Sequence, residues 1–476
     1  MLSPTNIREL KSKYQQSSER LVFVDLGDVS SLLIAAAVQE EIIAKSLTLI
    51  SPGIQQFNLF FKLLANSTLT EIGILNPVSD FGTTQLDQLL EHLSLKLEKL
   101  ALFDCEIHEI NPTRLSQACY LRSIILTNCP IGDDGFNVIL KCLNLQLESL
   151  ELNSCGLKRG PEFTLLKECR KLIELDLSFN GFKNPVIVNE LLASCAKQIE
   201  KFTFNEGTLA IEVDRGILKQ CAQLQSLNLD CCVFNSLDLV FSLHDETIES
   251  LSLSCCGIRG STMPIIFCWT PYSKLKFLDL SNNPLANEGF ELLLSIIGPQ
   301  LETLNIERCW ITEINGNLLK TARKMRGLNL SENYIEDRGI INVFASLCNE
   351  IVSLEVSGCG ITVIPFNWLY NCRFLENLDL RNNELENGQL VQLGKKILLM
   401  SNIRMVYTRD SRISSICSFL SSKEFKLRAF LCSVHSCPRI WVKSKLNLLP
   451  NELTRKIGEK IQYQFGEDES FEFGMF

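Results

Sequence analysis

Apolar residues in this chain recur in one phrase. Leu147-Glu-Ser-Leu150-Glu-Leu152-Asn-Ser-Cys155-Gly-Leu157 has the form L-x-x-L-x-L-x-x-C-x-L. The form returns as Leu172-Ile-Glu-Leu175-Asp-Leu177-Ser-Phe-Asn180-Gly-Phe182, again from Leu275 to Leu285, and again from Leu375 to Leu385. Its L-x-L centre alternates with period two, which predicts a short strand with leucines on one face and variable residues on the other. After Leu285, the run Ala-Asn-Glu-Gly289-Phe290-Glu-Leu-Leu-Leu-Ser-Ile-Ile has apolar residues at helical spacing. Gly132-Asp-Asp-Gly135-Phe136 and Glu336-Asp-Arg-Gly339-Ile340 occupy the same slot. Twelve clear copies start at Leu97, Leu121, Leu147, Leu172, Ile199, Leu224, Ile248, Leu275, Leu301, Met325, Ile351 and Leu375, about 25 residues apart. Weaker copies begin at Leu21, Ala44, Leu69 and Ile403. No single copy can bury its own leucines, so neighbours must stack and share a core.

The phrase and its period resemble the leucine-rich-repeat family over the stretch from Leu21 to Ile413. The turn and helix that follow each phrase resemble the ribonuclease-inhibitor-like, cysteine-containing subclass. The resemblance implies an α/β leucine-rich-repeat solenoid (horseshoe) with a concave parallel sheet and convex helices. Residues 1–20 read as an N-terminal cap, 21–413 as a solenoid of about 16 repeats, and 414–476 as a helical C-terminal segment with an acidic tail.

The period changes how the 20 cysteines read. Position nine must satisfy the backbone of the turn after the strand, and its occupants include Cys105, Cys129, Cys155, Cys232, Cys256, Cys309 and Cys359, with Asn180, Asn283, Asn333 and Asn383 between them. Seven more, Cys119, Cys142, Cys169, Cys195, Cys221, Cys348 and Cys372, fall just before the next strand. Free cysteine packs as a small hydrophobe, so these fourteen need no disulfide, and a reducing, cytoplasmic compartment is expected. Cys231 and Cys255 share one slot in adjacent repeats, close to disulfide range, and read as small packed thiols, with a redox pair as the alternative. Cys432-Ser-Val-His435-Ser-Cys437 offers three potential zinc ligands but no second pair of ligands nearby, so no metal site is assigned.

Length and charge narrow the function. A chain of 476 residues exceeds what one core supports, about 250–300 residues, which agrees with a repeat array. A net charge of −9 argues against a general nucleic-acid binder. The N-terminus lacks the pattern of a secretory signal, and the run Leu32–Val38 is far shorter than the roughly 18–20 residues that span a bilayer. No phosphate loop, dinucleotide fingerprint, H-E-x-x-H or G-x-S-x-G phrase occurs, and no catalytic residue or cofactor is expected.

The variable strand positions three, five, seven and eight form the expected binding face. In the twelve clear copies these hold eleven acids, Asp104, Glu151, Glu174, Asp176, Glu206, Asp230, Asp279, Glu307, Glu332, Glu355 and Asp379, against four bases, Lys99, Lys201, Arg308 and Arg381. Phe103, Phe179 and Phe277 stand among them as candidate anchors. Such a face predicts a protein partner with a basic surface, steered by charge.

Beyond Ile413 the repeat fails, and Phe419 to Leu431 and Leu453 to Ile461 read as short helices. Leu449-Pro450-Asn-Glu-Leu453-Thr-Arg-Lys-Ile457 resembles the opening of an F-box and the cullin-contacting half of a SOCS-type box. That resemblance implies ubiquitin-ligase components as partners, docking on Leu449, Pro450, Leu453 and Ile457; a cap over the last repeat is the alternative. The ending Gly466-Glu-Asp-Glu-Ser-Phe-Glu-Phe-Gly-Met-Phe476 resembles C-terminal translocation signals of effectors that intracellular bacteria secrete, which implies the host cytoplasm as site of action. The expected function is a non-enzymatic protein–protein recognition scaffold. The alternative is a substrate receptor of a cullin-type ubiquitin ligase.

Overall fold

The computed structural model describes residues 20–24, 45–50, 52–77, 81–158, 162–207, 210–211, 214–234, 247–262, 274–386, 388–390, 392–393, 405–408 and 431–432. The chain forms two compact units, Met1–Ile248 and Glu249–Phe476. Each is a stack of the same repeat, so the fold class is the expected α/β leucine-rich-repeat solenoid.

In the first unit, β1 (Arg20–Val24), β2 (Ser46–Ile50), β3 (Glu71–Leu75), β4 (Lys99–Phe103), β5 (Ser123–Thr127), β6 (Ser149–Asn153), β7 (Glu174–Asp176) and β8 (Lys201–Thr203) pair in parallel, in sequence order. A small parallel pair joins β9 (Ala210–Ile211) to β11 (Val233–Phe234), while β10 (Ser226–Asn228) continues the main ladder from β8. In the second unit the ladder runs through β12 (Ser250–Ser252), β13 (Phe277–Asp279), β14 (Thr303–Asn305), β15 (Gly327–Asn329), β16 (Ser353–Glu355), β17 (Asn377–Asp379), β18 (Met405–Thr408) and β19 (Leu431–Cys432). The weaker sequence copies thus carry β1, β2, β3 and β18. Leu431, expected at a helix end, pairs instead with Tyr407.

Register is kept by the leucines. Leu100 stands opposite Ile124, Ile124 opposite Leu150, and Leu150 opposite Leu175, all within 3% of full burial. A slip of one residue would turn this whole row to the other face, so the buried row fixes the pairing.

The return path alternates. Long helices α1 (Phe57–Leu64) and α2 (Thr83–Leu93) are followed by a single turn, α3 (Pro112–Leu115), then a long α4 (Gly132–Leu143), a 3-10 turn at Phe163–Lys167, a long α5 (Ile187–Cys195) and a short α6 (Arg215–Leu218). The second unit repeats the rule with α7 (Ala286–Ile297), α8 (Gly316–Leu319), α9 (Glu336–Leu347) and α10 (Phe366–Leu369). The structural block is therefore a pair of repeats, and equivalent slots recur every 50 residues, from Leu275 to Met325 and Met325 to Leu375. The long helices bury one face; in α4 it is Gly135, Phe136, Ile139, Leu140 and Leu143.

Position nine ties each turn to the repeat before it. Asn180 Oδ1 accepts from the N–H groups of Cys155 (2.8 Å) and Leu157 (3.3 Å), and its Nδ2 donates to the carbonyls of Leu152 (2.7 Å) and Leu177 (2.8 Å). Asn283, Asn333 and Asn383 repeat this set. Where cysteine stands, its thiol donates backwards as a weaker link: Cys155 to the Leu126 carbonyl (3.3 Å), Cys309 to Leu280 (3.1 Å), Cys359 to Leu330 (3.2 Å). All seven position-nine cysteines are buried, as are five of the second set; Cys142 is half-buried and Cys119 is exposed, so packing does not account for Cys119.

Candidate partner-binding face

Along each strand, positions three, five and seven alternate with the buried leucines and so share the opposite face. In the first unit Glu151 stands between Ile125 and Asp176 in register, and Glu174 between Ser149 and Lys201. Adjacent strands are about 4.8 Å apart, so three carboxylates crowd two neighbouring strands. Lys201 Nζ lies 3.6 Å from Glu174. Asp176 accepts from the N–H of Ser178 (3.0 Å) and from Asn153 Nδ2 (3.3 Å). Glu151 is half-buried, and that burial, with Glu174 and Asp176 adding to it, pushes its carboxyl above the ordinary range while Lys99 and Lys201 pull it back. Beside these acids, Ser149 Oγ, Asn153 Oδ1 and Asn205 Oδ1 are buried without a hydrogen-bond partner.

Around this cluster Phe103 is half-buried, Asp104 is exposed and accepts from Asn128 Nδ2 (2.7 Å), and Phe179 is 53% exposed. Asp230 is half-buried. Glu206 does not belong to the face. It is buried, and its carboxylate accepts from the N–H groups of Asn180 (2.7 Å) and Gly181 (2.9 Å) in the preceding turn. It performs the duty of a position-nine asparagine in a repeat whose position nine is Gly207. Burial raises its pKa, and the backbone donors oppose that rise.

In the second unit Asp279 accepts from the Ser281 N–H (2.8 Å) and Asn305 Nδ2 (2.7 Å), beside a half-buried Phe277. Glu307 accepts from Asn329 Nδ2 at 3.4 Å, and the Arg308 guanidinium is 3.9 Å away. Glu332 and Glu355 are exposed. Although Glu355 is exposed, partial desolvation, then Asp379 and Glu307, push its carboxyl up, and Arg381 opposes them. Asp379 departs from expectation: it is 4% exposed, and Arg381 Nε reaches both its oxygens at 2.9 and 2.8 Å. This acid is neutralised within the chain. Sequence reasoning passed over Trp310 and Tyr334, which are 71% and 63% exposed at position ten of adjacent repeats. The available signal was bulk, because the neighbouring repeats place Pro284 and Gly360 there.

Among the described residues no group of three or more His, Cys, Asp or Glu is arranged to hold a metal, and no helix is long and apolar enough to cross a membrane. Cys231 is half-buried and Cys255 exposed; they belong to different units. Leu449, Pro450, Leu453 and Ile457, and His435 and Cys437 of the candidate zinc phrase, lie outside the described residues.

A family model described as "Leucine Rich repeat" matches residues 117–136 and 273–294. The ribonuclease inhibitor of Sus scrofa is 29% identical over 277 residues, covering 52% of this chain and 60% of that protein. The ribonuclease inhibitor of Mus musculus is 29% identical over 274 residues, with the same shares. NACHT, LRR and PYD domains-containing protein 12 of Mus musculus is 25% identical over 305 residues, 55% of this chain and 27% of that protein. The chain thus spans less than two thirds of the curated relatives it matches. Among solved structures, the mouse RP105/MD-1 complex has a TM-score of 0.47 at 16% identity, covering 76% of this chain and 64% of that one. A leucine-rich-repeat protein of Leptospira interrogans has a TM-score of 0.45 at 15% identity, covering 79% and 98%.

Proposed function

The chain is a leucine-rich-repeat protein of the ribonuclease-inhibitor-like kind, and from that premise we propose that it is a non-enzymatic scaffold binding a protein partner with a basic surface. Leucine-rich-repeat proteins are protein-binding scaffolds, and two relatives are named as inhibitors of a ribonuclease. The observation that carries the basic partner is the first-unit cluster of Glu151, Glu174 and Asp176 on two neighbouring strands. Crowded carboxylates are relieved by an incoming cation rich in N–H donors. Lys99 and Lys201 compensate in part, so the site selects for charge without collapsing on itself.

The measurement is capture of partners by the full chain at low salt and their release as salt rises. Glu151→Lys combined with Asp176→Lys should abolish salt-sensitive capture. Unchanged capture with unchanged salt release would remove this face from consideration.

A second reading, receptor for a cullin-type ubiquitin ligase, has one observation in its favour, the phrase Leu449-Pro450-Asn-Glu-Leu453 with Ile457. Leu453→Glu with Ile457→Glu in the full chain should then lose ligase components while keeping the basic partner; absence of such components from both samples would end this reading. The described cysteines are free thiols, which supports a reducing compartment such as the cytoplasm. The acidic, aromatic ending from Gly466 supports the host cytoplasm if the chain is a secreted effector.

A further inference from the structure

In the second unit, position ten of successive repeats holds Gly257, Pro284, Trp310, Tyr334, Gly360 and Glu384. Single exposed aromatics are ordinary on a protein surface. Here two occupy the same slot of adjacent turns, and neither contributes its ring to the core. Their turns are locked together, because Asn333 Oδ1 accepts from the N–H groups of both Cys309 (2.9 Å) and Ile311 (3.0 Å), on either side of Trp310.

The next turn supplies a floor. A Cβ on Gly360 would stand 3.1 Å from the Tyr334 ring, and one on Gly358 would stand 2.6 Å from the Glu332 carboxylate. Both glycines have positive φ, +70° and +64°, so a side chain there would be strained as well as obstructive. Glu332 and Tyr334 therefore lean the same way onto Gly358-Cys359-Gly360, carboxylate and aromatic ring side by side. The charge nearby is unbalanced. Glu307, Glu332 and Glu355 face one partly engaged cation, Arg308, because Arg381 is committed to Asp379.

We infer that Glu332, Tyr334 and Trp310 form a second recognition site, which takes an arginine side chain of a protein partner. A guanidinium is planar, stacks on an aromatic face and offers paired N–H donors to a carboxylate. An ammonium meets the charge but lacks the stacking plane. An aliphatic side chain covers the rings and leaves the carboxylate without its water. An acidic one is repelled. The site extends the recognition reading above and shares no residue with its cluster, so either can fail alone.

The test uses the full chain and a synthetic peptide of alternating glycine and arginine, with matched lysine, citrulline and glutamate versions, followed by calorimetry and tryptophan fluorescence. The arginine peptide should bind about three- to fivefold more tightly than the lysine one, the scale of an exposed cation–π contact, with the citrulline and glutamate peptides weaker still. Tyr334→Ala and Glu332→Gln should each weaken it about three- to fivefold. Tyr334→Phe should restore binding, and Trp310→Phe should abolish the fluorescence response. Glu151→Lys with Asp176→Lys removes the first-unit cluster and should lower capture of both basic peptides alike, leaving the preference for arginine over lysine unchanged. Equal binding of arginine and lysine peptides, indifference to Tyr334→Ala and Glu332→Gln, or no binding at millimolar peptide overturns the inference. An arginine-over-lysine preference that disappears with the first-unit variants and survives Tyr334→Ala overturns it too, while supporting the first face.

Discussion

Glu206 carries two of the strongest hydrogen bonds in its turn, since a carboxylate accepting from backbone N–H is charge-assisted. Glu206→Ala leaves the N–H groups of Asn180 and Gly181 without that acceptor, at a cost of about 1–3 kcal/mol. Glu206→Gln, which keeps one oxygen, should lose less. Urea unfolding measures both, and an alanine variant as stable as the parent would show the carboxylate is not a turn residue. Glu151 behaves oppositely. Its folded pKa is raised above the unfolded 4.5 by burial and by Glu174 and Asp176, so its stabilising contribution is full below pH 4.5 and is lost as pH rises through the folded pKa. Glu151→Gln should remove that loss and raise the melting temperature at pH 7 but not at pH 4. A parent and variant that differ equally at both pH values would contradict this. Neither role was legible from residue type, because acids at positions five and eight read as wet. Two local signals pointed the other way: Gly207 left position nine empty beside Glu206, and Arg381 stood two residues from Asp379.

Helices in this protein are held from outside their own sequence. Lys96 Nζ, on the chain entering β4, donates to the carbonyls of Leu64 (2.7 Å) and Ser67 (2.9 Å) at the end of α1; Gln146 Nε2 serves Ala118 in the same way at 2.6 Å. These caps satisfy carbonyls that a helix end leaves open. Within α9, Gly339 looks like a weakness, since alanine is favoured over glycine by about 1 kcal/mol in a helix interior. Its Cβ would lie 2.6 Å from Cβ of Ile335, however, and overpacking costs about 1–3 kcal/mol. The second effect should win, so Gly339→Ala lowers the urea midpoint; a rise would mean the entry to α9 yields freely. The strands and the stacking were readable because Leu at positions four and six has no other place to go. The alternation of long helix and single turn was not read, although Gly135-Phe136, Gly289-Phe290 and Gly339-Ile340 mark the three twelve-residue helices, α4, α7 and α9. The phrase describes a single repeat, whereas helix length depends on what the neighbouring repeat leaves free.

At the scale of the whole chain most of the shifted position-nine and pre-strand thiols act in one direction, Cys129 being the exception because its hydrogen bond with Cys105 holds it below the ordinary value. Burial pushes Cys155, Cys221, Cys232, Cys309, Cys359 and Cys372 up to about 12 from the ordinary 9.0. Raised folded values mean the contribution is intact below pH 9 and is lost as pH rises toward 12. Between pH 9 and 10 each such thiol loses on the order of 1 kcal/mol, and the losses fall in both units of the chain. Lys96, lowered to about 8 by burial, and Cys129, lowered by its hydrogen bond with Cys105, work the other way. Circular dichroism melts should therefore show a steep fall in stability from pH 9 to 10, and a flat profile there would contradict burial of these thiols. The paired repeat has a separate consequence, which concerns inheritance. From α3 onward each described long helix has a single turn beside it, whereas α1 and α2 are consecutive long helices, so the parity belongs to the later repeats. Excising residues 301–350 removes one whole block and leaves the alternation in step; excising residues 301–324 sets long helix against long helix. Where the alternation holds, from Leu275 to Leu385, lengthening or shortening by recombination in even counts of repeats keeps every helix beside its usual neighbour. Since α1 and α2 show that long helix can also be packed on long helix, the block of 50 residues is the favoured unit of change there and not the exclusive one.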